Sequence, residues 1–315
     1  MREPLVNSPM LDQPLVFEPI FMERVWGGRR LESLFGKRLP AGVRIGESWE
    51  IVDRPEAQSV VHEGSLRGET LHDLWMNRRP EIFGDVPDSP RFPILVKLLD
   101  AQEKLSIQVH PPAEAAEELG GEPKTEFWYI AETGPAAELY VGLKRGSSRT
   151  DFANALEEGS VVEHVHRVAV SAGDAMFLPS GRVHAVGAGN VIVEIQQNSD
   201  TTYRIFDWER SDRELHIEQA MRSVDFNDIE PSVTRPQGES LVRHELFHVE
   251  KWHIEEPRVA SERGRFAIVC CIAGALQCGN AQLLPGNFAL IPASLPQVAV
   301  KALADVAEML RVTIL

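Results

Sequence analysis

The sequence has few cysteines, with three among its 315 residues. Cys270 and Cys271 are adjacent, and Cys278 follows without C-x-x-C spacing or a nearby histidine. Three thiols cannot form the disulfide framework of a small secreted protein, and this spacing does not match a zinc–thiolate motif. We therefore expect buried, apolar thiols in a protein of the reducing cytoplasm.

Long apolar segments are also missing. The longest strongly apolar run, Phe266–Leu276, is far shorter than the roughly 20 residues that a membrane-spanning helix needs. The segment from Met1 to Pro19 has no apolar stretch behind a basic start, so we expect no secretory signal. The sequence predicts neither a membrane anchor nor a membrane partner.

Positive charge is scarce, because 32 lysines and arginines face 47 aspartates and glutamates, for a net charge of −15. A surface of this sign repels phosphate backbones, which argues against nucleic acid as a partner. A local basic pocket can still bind a small anion. Hydrophobic residues make up 43% and charged residues 25%, a composition typical of a globular protein with a buried core.

Glycine and proline, in contrast, are abundant, with 23 and 21 residues spread along the chain. They separate many short apolar runs, a pattern typical of all-β sandwiches and barrels. A few helices are expected around Leu71–Trp75, at Ala113–Leu119 after a proline pair, and behind Thr150 as an N-cap. The main strand-like runs are Ser59–His62, Phe92–Asp100, Ser106–His110, Glu126–Ala131, Arg167–Val170, Ala175–Leu178, Val191–Gln196, Thr202–Phe206, Phe247–Ile254, Phe266–Ile272, Phe288–Ile291 and Met309–Ile314.

Prolines and a glycine interrupt this pattern between Asp228 and Ser240, which predicts a linker. We expect a larger domain at residues 1–235 and a smaller β-domain with few chemical side chains at 236–315. Two turns resemble each other, Ala172–Ala175 and Leu284–Asn287, and each precedes an apolar run that ends in proline. A duplicated β-sandwich would produce this repeat.

The spacing Gly173-x5-Pro179-x-Gly181-x2-His184 predicts a tight turn, a short strand and a reversal that ends at a histidine. It resembles the second conserved motif of the cupin superfamily of small jelly-roll barrels. The closing asparagine, Asn190, lies two residues later than that motif places it. We expect His184 to begin the next strand with its ring pointing into a barrel.

Upstream, Gln108 and His110 alternate in a short run that Pro111 ends. Their side chains should therefore project to one face at the rim of a sheet. Glu126 begins a later apolar run. With His184, these side chains offer two nitrogens and two oxygens, a set suited to Zn²⁺ with room for water or substrate.

A run of seven polar residues ends at Thr202 and is followed by Arg204. Loops at the mouth of a barrel often carry the functional site, where Arg204 would hold a phosphate or an oxyanion. The plain alternative is that Arg204 forms a salt bridge with Asp200 or Asp207.

Five segments, in this order, resemble type I mannose-6-phosphate isomerases, most closely the short bacterial form without a helical insertion. They are Ile45–Glu50, Lys97–Pro111, Lys124–Tyr129, Pro179–His184 and Glu194–Trp208. The resemblance extends from about Phe17 to Ile314. It implies a mainly β fold of two cupin-type jelly-roll domains with a few short helices. The first domain would bind the metal, and the second, with no histidine after His253, would be metal-free.

The resemblance also implies a reaction, the interconversion of mannose 6-phosphate and fructose 6-phosphate through an enediol. One Zn²⁺ per chain would be bound by Gln108, His110, Glu126 and His184. Arg204 would lie in the active site, and the same cavity would be lined by Ser106, Lys97, Lys124 and Glu194. Ser106 and Lys97 are the candidates for phosphate binding, and the general base is left open among Glu194, Lys124 and a water at the metal. We expect a small phosphorylated sugar as partner and a monomer or homodimer.

Three other functions are disfavoured. The segment His244–His248 matches the H-E-x-x-H signature of zinc proteases, but that motif needs a helix and the flanking residues favour a strand. A non-catalytic, sugar-sensing cupin is disfavoured because Arg204 and Glu194 accompany all four ligand positions. A metal-dependent oxygenase is disfavoured because such sites usually hold iron with a histidine-rich set.

Overall fold

The computed structural model describes residues 11–314, so most of the Met1–Pro19 segment lies outside the described residues. These residues form a mainly β architecture of four larger antiparallel sheets, as predicted. A small fifth sheet pairs β3 (Asp53–Arg54) with β4 (Ala57–Gln58). No helix within residues 11–314 is long and apolar enough to cross a membrane.

The first sandwich is built from a six-stranded and a five-stranded sheet. The six-stranded sheet contains, in spatial order, β1 (Ile20–Gly28), β2 (Ile45–Ile51), β5 (Ile94–Ala101), β12 (Asn190–Gln197), β7 (Glu126–Thr133) and β10 (Ala175–Leu178). The five-stranded sheet contains β13 (Tyr203–Phe206), β6 (Ile107–Val109), β11 (His184–Val186), β8 (Glu138–Leu143) and β9 (Val165–Ala169). Leu99, Trp128 and Ile192 of the first sheet share a buried core with Leu139 and Val186 of the second.

The second sandwich follows the first along the chain. Its larger sheet contains β14 (Ser240–Arg243), β15 (His248–Ile254), β22 (Ala307–Thr313), β17 (Ala267–Ala273) and β20 (Phe288–Ile291). Its smaller sheet contains β16 (Arg258–Ser261), β21 (Val298–Ala302), β18 (Leu276–Cys278) and β19 (Ala281–Leu283).

All three cysteines are buried and free, and burial raises the pKa of the Cys271 and Cys278 thiols to about 12. The prediction of buried, apolar thiols is confirmed.

The largest apolar core lies between the two sandwiches. Along β5, Ile94, Val96 and Leu98 pack into this shared core, together with Ile268 and Leu310 of the second sandwich. The alternate residues of β5 face the opposite way, into the first sandwich. Burial on both faces explains why the β5 sequence is almost continuously apolar.

The two sandwiches have corresponding strand orders. In chain order, β2 corresponds to β14, and β5 to β12 correspond one by one to β15 to β22, since each strand has the same position in its sheet as its counterpart. β1 and β13 are additional edge strands of the first sandwich. The two similar turns precede β10 and β20, which correspond in this alignment. We keep the predicted division at residues 235 and 236 as a proposal for the domain boundary.

The helices are short and lie between strands. They are α1 (Arg30–Phe35), α2 (Leu71–Asn77), α3 (Arg79–Ile82), α4 (Ala113–Ala116), α5 (Arg149–Glu158), α6 (Ile217–Ser223) and the 3₁₀ turn η1 (Val161–His164). The N-cap of α5 is Ser148 and not Thr150, because the Ser148 side chain accepts from the Asp151 N–H while Asp151 accepts from the Ser148 N–H. The predicted strand at Ser59–His62 is reduced to isolated bridges at Val60 and Val61.

Candidate active site

A cavity of about 400 Å³ lies at the mouth of the first sandwich. Seven of the nine predicted site residues line it, namely Lys97, Ser106, Gln108, Lys124, Glu126, Glu194 and Arg204. The other two, His110 and His184, lie beside Glu126, which is in the wall. The structure therefore brings all nine predicted residues together.

His110, Glu126 and His184 form a buried cluster whose ligand atoms all lie within 4.8 Å of one another. The His110 Nε2 atom is 3.3 Å from Glu126 Oε1, and His184 Nε2 is 3.5 Å from Glu126 Oε2. All three residues are about 1% exposed. Two imidazoles and a carboxylate at these distances form a possible metal site.

Strand register positions these ligands. His184 begins β11 directly opposite Gln108 in β6, and Glu126 begins β7 in the facing sheet. Beyond the end of β6, the His110 carbonyl accepts a hydrogen bond from the Gly181 N–H at 2.9 Å. Gly181 has φ +92°, a conformation that favours glycine, so the reversal before His184 requires this residue.

Several features of the cluster fit a bound metal. The His184 Nδ1–H donates to the Arg182 carbonyl at 2.9 Å, which leaves Nε2 facing Glu126 as a ligand atom. Glu126 Oε2 is buried and has no hydrogen-bond partner within residues 11–314. Burial and the charge of Lys124 lower the pKa of His110 to about 3, so its imidazole is neutral, the form that binds metals.

Gln108 is placed to complete the set. Its Nε2 atom lies 3.2 Å from His184 Nε2, and its Oε1 atom lies 3.3 Å from the Ser106 hydroxyl. A half-turn of the amide would place the oxygen toward the cluster and let the nitrogen donate to Ser106. The residues present therefore fit a centre with two nitrogen and two oxygen ligands.

Lys124 is a charged neighbour of the cluster. Its Nζ atom lies 2.7 Å from Glu126 Oε1 and 3.5 Å from His110 Nε2. Burial alone would lower the pKa of this ammonium, but Glu126 and Glu194 raise it above its usual range. The same ion pair holds the pKa of Glu126 well below its usual range, against the effect of burial.

A second chain of buried charges crosses the cavity wall. Lys97 Nζ lies 3.6 Å from Glu194 Oε1 and 3.8 Å from Glu47 Oε2, and the Arg24 Nε–H donates to Glu47 at 2.9 Å. Burial alone would raise the pKa of Glu47, but Lys97 and Arg24 lower it to about 2. Glu194 behaves differently, because burial and the negative charge of Glu126 raise its pKa to about 7.

Arg204 lines the cavity, and within the described residues its side chain forms no ion pair. Its Nη1–H donates to the Glu214 carbonyl at 2.7 Å, while its Nε is buried with no hydrogen-bond partner within residues 11–314. Asp207 is instead bound by Arg210 at 2.8 Å and by Arg213 at 2.5 Å. Within residues 11–314, Arg204 forms a salt bridge with neither Asp200 nor Asp207, so the structure does not show this alternative.

Five further polar residues of the cavity wall were not predicted as site residues: Arg24, Glu47, Asp200, Thr202 and Arg213. Glu47 lies in the Ile45–Glu50 segment, so its position near the site could have been inferred from that segment. No motif in the sequence pointed to Arg24. It reaches the cavity only because β1 pairs with β2 in the sheet.

Within the part of the chain that the structure describes, the H-E-x-x-H segment belongs to no metal-binding cluster. His244 to Phe247 make the turn between β14 and β15, and His248 begins β15. The His244 ring packs against Phe177 with ring centres 5.1 Å apart. Without a helix the two histidines do not share one face, which agrees with the rejection of the protease motif.

Comparison with known proteins points to one group of enzymes. Residues 15–132 match the family model described as "Phosphomannose isomerase type I, catalytic domain". The chain is 40% identical over 248 residues to the probable mannose-6-phosphate isomerase GmuF of Bacillus subtilis, covering 74% of this chain and 78% of that protein. It is 37% identical over 268 residues to mannose-6-phosphate isomerase ManA of the same organism, covering 81% and 84%.

A solved structure agrees with these sequence matches. The crystal structure of the mannose 6-phosphate isomerase from Bacillus subtilis superimposes with a TM-score of 0.85 at 33% identity, covering 96% of this chain and 100% of that chain. A putative mannosephosphate isomerase from Archaeoglobus fulgidus has the same fold, with a TM-score of 0.79 at 22% identity, covering 98% and 99%.

Proposed function

The chain belongs to the type I phosphomannose isomerase family and is a mannose-6-phosphate isomerase, and on this premise we propose that it works by zinc-assisted proton transfer through an enediol. The substrates would be mannose 6-phosphate and fructose 6-phosphate. The observation that carries the proposal is the buried His110–Glu126–His184 cluster beside a cavity lined by Arg204, which has no ionic partner among residues 11–314.

Gln108, His110, Glu126 and His184 would hold the zinc ion. Two imidazole nitrogens, one carboxylate and one amide oxygen form a set suited to Zn²⁺, and it has no ligand that favours redox chemistry. When bound, zinc supplies Lewis acidity to the carbonyl or hydroxyl oxygen beside the reacting carbon.

The reaction moves a proton between C1 and C2 of the sugar, so the site needs a base and a partner for the negative oxygen. Glu194 is our candidate for the base, because a carboxylate with a pKa of about 7 can both take and return a proton near neutral pH. Its Oε1 atom is buried without a hydrogen-bond partner within residues 11–314. Lys124 stays charged beside Glu126, so it would stabilise negative oxygen and not act as the base.

Arg204 would stabilise the enediolate with a planar fork of donors. Its buried Nε has no hydrogen-bond partner among residues 11–314, which leaves a donor for the substrate. Ser106 and Lys97 remain our candidates for contact with the sugar phosphate. Lys97 already lies between two carboxylates, so it would contribute a fixed positive charge in the cavity wall and Ser106 a hydrogen bond.

A coupled assay tests the proposal most simply. Conversion of mannose 6-phosphate to fructose 6-phosphate should be lost after chelation and should return when Zn²⁺ is added. Binding of mannose 6-phosphate without turnover, in protein loaded with zinc, would instead favour a sugar-sensing role. We further propose that the enzyme is cytoplasmic and that it is a monomer or a homodimer. Light scattering after size-exclusion chromatography would decide between the two oligomeric states.

A further inference from the structure

The second sandwich lines most of a cavity of about 630 Å³ at the place that corresponds to the active-site cavity, and Phe83, Asp85 and Val86 of the segment that precedes β5 complete its wall. In the first sandwich Lys97 lies opposite Glu194 across the β5–β12 pair. In the second, Glu250 lies opposite Arg311 across the corresponding β15–β22 pair. Glu250 and Arg311 line the second cavity, which is therefore the structural counterpart of the active site with the charges of this pair exchanged.

The metal-ligand positions have different residues in the second sandwich. Glu126, the first residue of β7, corresponds to Ala267, the first residue of β17, since each pairs with the last residue of the neighbouring strand. His184 begins β11, and Val298 begins the corresponding strand β21. Alanine and valine offer no metal ligand, so the second cavity cannot hold a metal as the first does.

The second cavity instead collects positive charge. Arg265 lies two residues before β17, as Lys124 lies two residues before β7, and Arg243 ends β14. Both arginines line the cavity, and neither side chain forms a hydrogen bond or an ion pair within residues 11–314. Arg311 is different, because it is bonded to Glu250 and to the Ala260 carbonyl. Two guanidinium groups are thus free to bind a ligand.

The charge of the lining contrasts with that of the whole chain. Three arginines face two carboxylates, Asp85 and Glu250, which leaves a local excess of one positive charge in a chain of net charge −15. Burial lowers the pKa of His248; Glu250 opposes this, Arg243 and Arg311 add to it, and the net shift is downward. His248 is therefore a neutral polar group at the edge of the cavity, beside the Ser240 hydroxyl at 2.9 Å.

We propose that this cavity binds a small organic phosphate, with its phosphate group held by Arg243 and Arg265. Each guanidinium group can donate two parallel hydrogen bonds to phosphate oxygens. Two guanidinium groups together match the double negative charge of a phosphate group. The half-buried side chains of Val86 and Ile314 also line the cavity and give it an apolar surface for the rest of the molecule. The proposal adds a second ligand site in the half of the chain that lacks the metal cluster.

Calorimetric titration of the zinc-loaded, full-length protein with inorganic phosphate at low ionic strength tests this site. The wild type is compared with the double variant Arg243→Ala/Arg265→Ala and with Arg263→Ala, an exposed arginine two residues away that does not line the cavity. We expect the double variant to lose one binding event per chain, or to bind there about tenfold more weakly or worse. Arg263→Ala should behave as the wild type.

Both arginine side chains are exposed and form no hydrogen bond or ion pair within residues 11–314. The double variant should therefore keep its melting temperature and its isomerase activity in the absence of phosphate. Each single variant, measured in parallel, should weaken binding by a smaller factor. Identical phosphate isotherms for the wild type and the double variant would overturn the proposal. Complete displacement of phosphate by an equal ionic strength of chloride would overturn it as well, because it would show general charge screening.

Discussion

His184 lies directly opposite Gln108 across the β6–β11 pair, and the facing side-chain nitrogens are 3.2 Å apart. This pairing joins two segments that are far apart in the sequence and brings two predicted metal ligands together. Glu126 approaches from the facing sheet, so the site lies between the layers of the sandwich and not within one sheet.

Replacing Arg204 with lysine should lower kcat by about a hundredfold or more, with a smaller rise in KM. Lysine keeps the charge but replaces the planar fork of donors with a single ammonium. Steady-state kinetics on mannose 6-phosphate, with zinc content and melting temperature from the same preparation, measure this. A folded, zinc-loaded variant with near-normal kcat would make Arg204 a structural residue.

The pH dependence of kcat/KM should report Glu194. A base must be deprotonated, and burial and Glu126 raise the pKa of Glu194 to about 7, so kcat/KM should rise as the pH increases through about 7. Glu194→Gln should remove most activity at every pH while zinc stays bound. A flat profile between about pH 6 and pH 8 in the wild type would exclude Glu194 as the titrating base.

The H-E-x-x-H segment should have no part in catalysis. Glu245→Ala and His244→Ala should keep isomerase activity within a few-fold and leave zinc content unchanged, because both residues lie in the turn before β15. Elemental analysis and the coupled assay check this. Loss of zinc in either variant would mean that the segment binds the metal.

The capping box of α5 gives a prediction about stability. Ser148→Ala should lower the free energy of unfolding by about 1 kcal/mol, because it leaves the Asp151 N–H without its side-chain acceptor. Thr150→Ala is the matched control and should change the free energy of unfolding by less than about 0.5 kcal/mol. Equal effects in denaturant titrations would show that Ser148 does not cap the helix.

The sequence allowed the fold class and the nine proposed site residues to be predicted, because strand alternation places Gln108 and His110 on one face and the family resemblance adds the others. It did not show how charges pair in three dimensions. The sequence makes Asp207 a candidate partner for Arg204. In the structure, Asp207 instead forms salt bridges with Arg210 and Arg213, which lie in the loop after β13.

The N-cap of α5 and the cavity of the second sandwich also could not be predicted from the sequence, because both depend on contacts that form only in the fold. Ser148 and Thr150 are both plausible N-caps in the sequence, and the hydrogen bonds to Asp151 decide between them. The cavity of the second sandwich was missed because it depends on register. Glu250 and Arg311 are distant in sequence and become a pair only when β15 and β22 align.

Stoichiometric zinc titration of the metal-free protein tests the central claim most directly. Isomerase activity should rise in proportion to added Zn²⁺ and reach a plateau at one ion per chain. The His184→Ala variant, which lacks one of the proposed buried ligands, should bind little zinc and stay inactive over the same range. Full activity in the metal-free protein, or undiminished zinc binding by His184→Ala, would contradict the account.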